Sequence, residues 1–288
     1  MSKNLIIGAF TNYEYNQLKP WVESIDEVGI KCDKVMIVFD TTMDTLEKLN
    51  ARGWELIKVQ QQGKLPIHVE RFVYIYNYLN ENDKWLEYDY ILTTDVKDVY
   101  FQTDPFVYME GAFVDTDNKI IVASEGLYYK DEPWGADNLK NAFGDYFFNV
   151  FKDNEIYNVG VWGGEAQYVK DMALSIFLMS LNRPIPIVDQ ATFNVILATQ
   201  PWQDITSFCN ADEGFACHAG TLADPSKMEF FRSFLVAGEP TYKDNIVCDE
   251  HGEPFCIVHQ YDRVPEWKEY ISKKYKQEES AELFVYRT

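Results

Sequence analysis

Short apolar runs alternate with amphipathic stretches along the first hundred residues of the chain. Four runs have the length of buried strands and are bounded by polar or turn-forming residues: 4–10, 34–40, 54–59 and 88–95. Three stretches between them have helical spacing of apolar residues: 20–29, 42–53 and 67–80. Strands that alternate with helices in this way predict a wound sheet in which the strands are parallel.

The second half of the chain has a less regular pattern. Two further strands are predicted at 119–126 and 158–164, and three amphipathic helices at 165–181, 187–199 and 265–279. Two apolar runs around "DEHGE" predict a hairpin over 245–260, with Gly252 in the turn. We therefore expect a single α/β domain, Rossmann-like, with a mixed but mainly parallel sheet flanked by helices.

Composition and charge narrow the function classes. The chain has 288 residues, of which 47% are apolar, so long disordered stretches are not expected. Its formal net charge of −20 disfavours non-specific binding to nucleic acid. The five cysteines show no CxxC spacing, which argues against a disulfide framework. No apolar stretch approaches the roughly 20 residues of a membrane span, and the first apolar run is too short for a secretory leader, so we expect a cytoplasmic protein.

The candidate chemistry lies beyond the ends of the predicted strands, where open sheets bind ligands. Thr11, Asp40 and Asp95 fall at such ends, and Asp98 follows three residues after Asp95. Carboxylates in this position suit Mg²⁺ or Mn²⁺, which prefer hard oxygen ligands. The structural alternative is that Asp95 caps a turn and Asp98 pairs with Lys97 or another cation.

The surrounding sequence adds a resemblance to a known family. "DVKDVYFQTDPF" resembles the aspartate motif of GT-A-fold glycosyltransferases, although here it has the form D-x-x-D. Three later stretches resemble, in the same order, segments of glycogenin-like retaining enzymes: "NVGVWGG", "VDQATFN" and "IVHQYDR". The resemblance covers roughly residues 4 to 267 and extends to less-studied bacterial, plant and viral proteins of the same fold.

This resemblance implies a GT-A fold, with a nucleotide-binding half at 1–106 and a sugar and acceptor half at 107–288. It implies Mn²⁺ or Mg²⁺ as cofactor, a nucleotide diphosphate-sugar (a UDP-sugar by family habit) as donor, and transfer to a hydroxyl with retention. The residues it implicates fall into three groups: Asp98, His259 and Asp95 as metal ligands; Thr11, Arg71, Asp95, Gly160, Gln190 and Arg263 at the donor; Asn158 and Asp189 in catalysis.

Most of these residues also have a purely structural interpretation. Asn158 and Gly160 can end a strand, and Asp189 stands where a helix N-cap is expected. His259 can be a satisfied strand-end histidine. Arg71 can pair with Glu70 or another nearby acid, and Arg263 with Asp262. Trp134, Trp162 and Trp202 are candidates for stacking on sugar faces, and Lys268 is an alternative to Arg263 at the diphosphate.

The acceptor is the least defined substrate. A glycan is the default acceptor, and the viral relatives keep open a hydroxylated DNA base, which the net charge of −20 disfavours. Three other functions are alternatives: a nucleotide-sugar-binding module without turnover, a nucleotidyltransferase, and an acidic calcium-binding surface protein, for which no stretch matches an EF-hand loop. A nucleotidyltransferase usually has a glycine-rich, basic loop after its first strand, whereas "GAFTNYEYNQ" contains one glycine and no basic residue.

Overall fold

The structure, a computed structural model, describes residues 3–62 and 65–277. Its strands, in chain order, are β1 Asn4–Phe10, β2 Asp33–Val38, β3 Glu55–Lys58, β4 Tyr90–Thr94, β5 Val99–Phe101, β6 Ile120–Tyr128, β7 Glu155–Glu165, β8 Thr206–Cys209, β9 Ala216–His218, β10 Thr241–Lys243, β11 Ile246–Cys248 and β12 Ile257–His259. Its α-helices are α1 Tyr15–Val28, α2 Met43–Ala51, α3 Ile67–Asn80, α4 Pro105–Phe113, α5 Pro133–Phe143, α6 Asp145–Phe151, α7 Ala166–Ser180, α8 Asp189–Leu197, α9 Ala219–Leu222, α10 Pro225–Phe231 and α11 Pro265–Lys274. Short 3-10 helices occur at Glu81–Glu87, Tyr129–Asp131, Trp202–Ile205 and Tyr261–Arg263.

Seven strands form one twisted sheet in the order β3-β2-β1-β4-β7-β6-β8. All neighbouring pairs in this sheet are parallel except those made by β7, which is antiparallel to both β4 and β6. The expected α/β domain with a mixed, mainly parallel and Rossmann-like sheet is therefore confirmed. A second, small sheet has the order β5-β12-β9, and β10 and β11 form a separate hairpin.

The sheet is buried on both faces, as expected for a sheet covered by helices on each side. Successive residues of β1 point to opposite faces: Ile6 packs in the cluster that contains Trp21 of α1, whereas Leu5 and Ile7 pack in the cluster that contains Phe72 of α3. This continuous apolar character is why the strand could be predicted at its observed bounds of 4–10.

Two sequence predictions of local structure are wrong. Helix α1 begins at Tyr15, so Pro20 lies inside the helix and not at its start. A capping box between Glu14 and Gln17 starts the helix one and a half turns earlier than the proline suggested. The predicted hairpin over 245–260 is reduced to an isolated bridge between Cys248 and Pro254, because β11 pairs with β10 and β12 joins the small sheet.

The chain reversal of β7 brings three distant segments to one place. Its register with β4 sets Val161 opposite Thr94, and the amide N–H of Asp95 donates to the carbonyl of Gly160 over 2.7 Å. Strand β12 ends at His259, and the next amide, of Gln260, donates to the carbonyl of Asp98 over 2.7 Å. The carboxyl end of β4, the middle of β7 and the end of β12 therefore share one wall.

All five cysteines are free, in agreement with the absence of a predicted disulfide framework. Within residues 3–62 and 65–277, none of the helices combines the length and the apolar character that a bilayer-crossing segment requires. The last residues of the helix predicted over 265–279 lie outside the described residues, and the described helix ends at Lys274.

Candidate metal centre and substrate cleft

Asp95, Asp98 and His259 meet at the junction of the two sheets. One ligand atom from each lies within 4.8 Å of the other two. His259 Nε2 is 3.6 Å from Asp95 Oδ2 and 3.8 Å from Asp98 Oδ1. We call these three residues the carboxylate–histidine cluster. Two carboxylate oxygens and one imidazole nitrogen form a donor set that suits Mn²⁺ or Mg²⁺.

Gly160 of β7 keeps the space beside this cluster open. A Cβ atom at position 160 would lie 2.5 Å from His259 Cε1 and 2.9 Å from Asp95 Oδ2. It would also lie 2.8 Å from Asn158 Oδ1. Any side chain at this position would therefore displace the groups that could hold an ion, so the residues present fit a small cation in this cradle.

The pKa values of the three cluster residues are set by burial and by the charges that surround them. Burial raises the pKa of Asp98, and the carboxylates of Asp95 and Asp262 raise it further against the lowering effect of His259. Burial also disfavours ionisation of Asp95, but Arg71 and His259 outweigh it and lower the pKa of Asp95. The pKa of His259 is raised, because the two carboxylates outweigh the effect of its burial. A divalent cation would relieve the repulsion between the carboxylates.

Arg71 of α3 connects the cluster to the start of α8. Its Nη1 donates to Asp95, and its Nη2 donates to Asp189 Oδ2 over 3.2 Å, while the side chain is only 14% exposed. The structural interpretation that Arg71 pairs with a nearby acid is correct in kind, but the partner is not Glu70, which is buried and accepts a bond from the amide of Gln62.

Asp189 does not cap α8, although its sequence position suggested that it would. Val188 occupies the N-cap position, and Asp189 is the first helical residue, buried to 3% exposure against Arg71. Burial raises the pKa of Asp189, against the lowering effect of Arg71. Its carboxylate therefore belongs to the wall of the cleft and not to the helix terminus.

His218 contacts the cluster and was not predicted as a site residue. It ends β9, which pairs with β12, and its Nδ1 lies 3.1 Å from Nδ1 of His259 with the two rings edge to face. When the Nδ1–H of His259 donates this bond, its Nε2 lone pair faces the two carboxylates. In the sequence, "FACH" and "IVH" are both short apolar runs that end in histidine, but neither run indicates that the two strands pair.

A second set of residues lies on the other side of Gly160. Glu125 Oε1 accepts hydrogen bonds from Asn158 Nδ2 over 2.5 Å and from Gln190 Nε2 over 3.0 Å. Gln190 Oε1 accepts from the amide of Val159 over 2.8 Å, and Asn158 Oδ1 accepts from the amide of Gly160 over 2.7 Å. We call Glu125, Asn158 and Gln190 the amide network.

The amide network corrects one prediction and adds one residue. Asn158 and Gly160 do not end a strand; they lie in the middle of β7, where the side chain of Asn158 bridges its own strand and β6. Glu125 was not predicted as a site residue. Burial, followed by the nearby Glu132 carboxylate, raises the pKa of Glu125 to about 7.

One cleft of about 910 Å³ joins the two sets. All ten residues predicted for the site line this cleft: Thr11, Arg71, Asp95, Asp98, Asn158, Gly160, Asp189, Gln190, His259 and Arg263. The volume is within the range of sites for cofactors and small molecules. The cleft lies beyond the carboxyl ends of β1 and β4, as the wound sheet predicted.

Other predicted contacts are not in the cleft. Trp162 is fully buried and packs against Phe193 in the core, so it cannot stack on a ligand. Trp202 and Lys268 are not among the residues that line the cleft, whereas Trp134 lines it and is 52% exposed. Arg263 Nε lies 3.8 Å from Asp262, which confirms the predicted pairing of these neighbours.

No model of a protein family matches the sequence, and no curated protein matches it at a significant level.

Proposed function

We propose that the protein is a metal-dependent glycosyltransferase, which moves a sugar from a nucleotide diphosphate-sugar to a hydroxyl acceptor. One observation carries the proposal: the carboxylate–histidine cluster and the amide network face a single cleft of about 910 Å³. The cluster suits a divalent cation that is bound to a diphosphate. The amide network presents amide and carboxyl groups of the kind that bind sugar hydroxyls. The motif resemblance to GT-A enzymes supports the same conclusion.

The donor would lie across the cluster end of the cleft. Asp98, His259 and Asp95 would hold Mn²⁺ or Mg²⁺, which supplies charge neutralisation to a departing diphosphate. Lys97, Lys227 and Arg263 also line this cleft and add positive charge for the phosphate oxygens. Lys227 is held in place by the bond from its Nζ to the carbonyl of Gly220, over 3.1 Å.

The nucleoside would lie against the loop that follows β1. Thr11 and Tyr13 line the cleft there, and the Tyr13 ring is stacked with Phe10 at a centroid distance of 6.4 Å and an interplanar angle of 7°. Lys97 lies over the Tyr13 ring at 5.6 Å. An aromatic face backed by a cation is suited to a planar base. A UDP-sugar is the donor that the family resemblance favours.

The sugar would lie between the cluster and the amide network. Asn158 and Gln190 are held by Glu125 and by backbone amides, so their side chains are preorganised. In transfer with retention, the bond from the anomeric carbon to the diphosphate oxygen breaks, the acceptor oxygen forms the new bond, and the departing phosphate oxygen takes the acceptor proton. In transfer with inversion, Asp189 would be the candidate general base.

The proposed acceptor is a neutral glycan and not a DNA base. The wall beyond the amide network carries the carboxylates of Glu132 and Asp224 and the half-exposed ring of Trp134. Carboxylates repel a phosphate backbone, whereas an exposed indole stacks on the apolar face of a sugar. The overall charge of −20 acts in the same direction.

A donor screen tests the proposal directly. Unfolding temperatures would be measured with UDP-glucose, UDP-galactose, UDP-N-acetylglucosamine and GDP-mannose, each with and without MnCl₂, and release of nucleotide diphosphate would be followed for each donor. A ligand at about 100 times its Kd stabilises a protein by about 2.7 kcal/mol. We expect at least one donor to stabilise only with Mn²⁺ and to be turned over.

Variants separate the possible outcomes of the screen. Asp98→Asn should lose the Mn²⁺-dependent shift and the turnover, whereas Asp44→Asn, an exposed aspartate in α2, should keep both. Binding of a donor without release of nucleotide diphosphate, whichever acceptor is added, would indicate a binding module. A donor response that Asp98→Asn retains would remove Asp98 from the metal site and contradict the proposal.

A further inference from the structure

A second cavity, of about 290 Å³, lies outside the cleft and shares none of its lining residues. It sits over the β6, β7 and β8 edge of the main sheet and is closed on one side by the C-terminal half of α8. Its floor is apolar, with Leu139, Val195 and Leu197 buried. The volume is at the lower end of the range of small-molecule sites, which corresponds to a ligand about the size of one ring.

Aromatic rings form much of the wall. Tyr128, Tyr157 and Phe208 come from three adjacent strands, and Phe151 closes the opposite side from α6. The rings of Tyr157 and Phe208 contact each other at a centroid distance of 4.9 Å. All four side chains are half-buried, so part of each ring faces the cavity or solvent. Flat apolar surfaces of this kind are suited to a ligand with a flat apolar face.

Two side-chain amides at the rim of the cavity are available to a ligand. Those of Asn154 and Gln203 form no hydrogen bonds within the described residues, and both residues are exposed. The ring of Tyr129 lines the cavity, but its hydroxyl is buried out of contact with solvent and near the carboxylates of Glu125 and Glu132. Asn194, in contrast, is fully used by bonds to the backbone of Tyr157 and Gln190.

The charges at the rim exclude an anionic ligand. Asp153 and Glu155 are the charged residues among those that line the cavity, and no lysine or arginine does so. Asp153 is paired with Lys130 over 2.9 Å, and Glu155 accepts a bond from Ser124 over 2.6 Å. The carboxylate of Glu155 has no lysine or arginine partner among the described residues, so it would repel a phosphate or a nucleotide. A purely apolar ligand would cover the amides of Asn154 and Gln203 without forming hydrogen bonds to them.

We propose that this cavity is a second carbohydrate site, which binds one neutral sugar unit. A pyranose ring has an apolar face for the aromatic wall, hydroxyl groups for the amides of Asn154 and Gln203, and no charge to be repelled by Asp153 and Glu155. The inference does not require transfer activity in the cleft, because the two sites share no residues. Helix α8 runs between them, with Asp189 and Gln190 at one end and Leu197 at the other. Nine helical residues span about 13 Å.

The test uses the whole chain and four neutral disaccharides: maltose, cellobiose, lactose and N,N′-diacetylchitobiose. Saturation-transfer NMR would detect binding, and calorimetry would measure it. Ala198→Phe fills the cavity from the end of α8, and Tyr128→Leu removes one aromatic face. Tyr146→Ala, at a tyrosine that is 77% exposed on α6 and does not line the cavity, is the matched control. Asp98→Asn disables the cluster in the main cleft.

We expect at least one disaccharide to bind, at least tenfold more weakly in Ala198→Phe and Tyr128→Leu, and unchanged in Tyr146→Ala and Asp98→Asn. Inorganic phosphate should not compete. Absence of binding for all four sugars, or binding that survives in Ala198→Phe and is lost in Asp98→Asn, would overturn the second site. Failure of the proposed transferase function would appear separately, as the absence of an Mn²⁺-dependent response to any donor. The two proposals can therefore be rejected independently of each other.

Discussion

The two sides of Gly160 are built on opposite principles. In the carboxylate–histidine cluster, two acids from the loop after β4 converge with a histidine from β12, and the acids repel each other. In the amide network, Glu125 is satisfied by two side-chain amides, and those amides are in turn satisfied by backbone groups. The first is an arrangement that a cation completes, whereas the second is complete within the protein.

This difference suggests separate roles for the two sets: the cluster is suited to binding an ion, and the amide network is suited to orienting a ligand. A group of like charges is stable in a fold only when something compensates it, and here Arg71 compensates Asp95 from the protein side. A closed hydrogen-bond network needs no external partner; it holds its side chains rigidly and changes little when a ligand binds. We therefore expect the stability of the cluster to depend on divalent ions, and that of the amide network to depend on pH and on changes in local packing.

Removal of Arg71 should have the largest effect. Arg71→Met leaves Asp189 buried without its cation and Asp95 without its main counter-charge. Loss of one partner of a buried ion pair costs about 3–5 kcal/mol, so the free energy of unfolding should fall by that amount without divalent ions. Because Mn²⁺ can then supply the missing positive charge, its stabilising effect should be larger in the variant than in the native chain.

Urea unfolding with and without MnCl₂ measures both effects. Arg183→Met is the matched control, because this arginine is half-buried but donates only to the carbonyls of Met179 and Ala142. It should lose about 1 kcal/mol and leave the Mn²⁺ response unchanged. An equal Mn²⁺ response in Arg71→Met and the native chain would show that Arg71 and the ion do not act on the same carboxylate.

The contribution of the amide network to the free energy of unfolding should depend on pH. Burial and Glu132 raise the pKa of Glu125 from 4.5 to about 7, so between these values the folded state binds more protons than the unfolded state. Stability from this group is therefore fully present below pH 4.5 and is lost as the pH rises through 7. A shift of this size corresponds to about 3 kcal/mol. Glu125→Gln cannot titrate and should not lose this contribution.

The measured quantity is the difference in unfolding free energy between Glu125→Gln and the native chain at pH 4.5, 6 and 8. It should move in favour of the variant by about 3 kcal/mol across this range. Glu229→Gln, at an exposed glutamate of α10, controls for the loss of one negative charge. A difference that stays constant with pH would mean that Glu125 is ionised throughout.

Elements with a strong periodic signal could be predicted, and those that depend on distant partners could not. Helix α3 has its predicted bounds because apolar residues recur at helical spacing over all of 67–80. The strands β5, β9 and β12 have three residues each, which is too short for any period, and they form a sheet only with one another. The pairing of β12 with β5 therefore had no local signal.

The same distinction applies within the site. Asp98 and His259 could be paired in advance, because the order of motifs in the chain resembles that of a family. Glu125 could not be identified, because one acid in the apolar run "IIVASEG" has meaning only beside Asn158 of β7 and Gln190 of α8. His218 has meaning only after β9 and β12 are aligned. Residues whose role depends on non-local pairing are the ones that sequence patterns do not show.

A methyl group at the boundary between the two sets gives the smallest and most selective perturbation. In Gly160→Ala, the new Cβ would contact His259 and Asp95 on one side and Asn158 on the other. Overpacking of this kind costs about 1–3 kcal/mol. Calorimetric titration with Mn²⁺ should show an affinity loss larger than the stability loss, because the displaced groups are those that would bind the ion.

Gly111→Ala is the matched control, because no atom lies within 4 Å of its Cβ position in α4. This variant should gain up to about 1 kcal/mol of stability from helix propensity, while Mn²⁺ binding stays the same. If Gly160→Ala bound Mn²⁺ as tightly as the native chain, the cluster and the amide network would not share this boundary, and the contrast between them would have to be drawn elsewhere in the cleft.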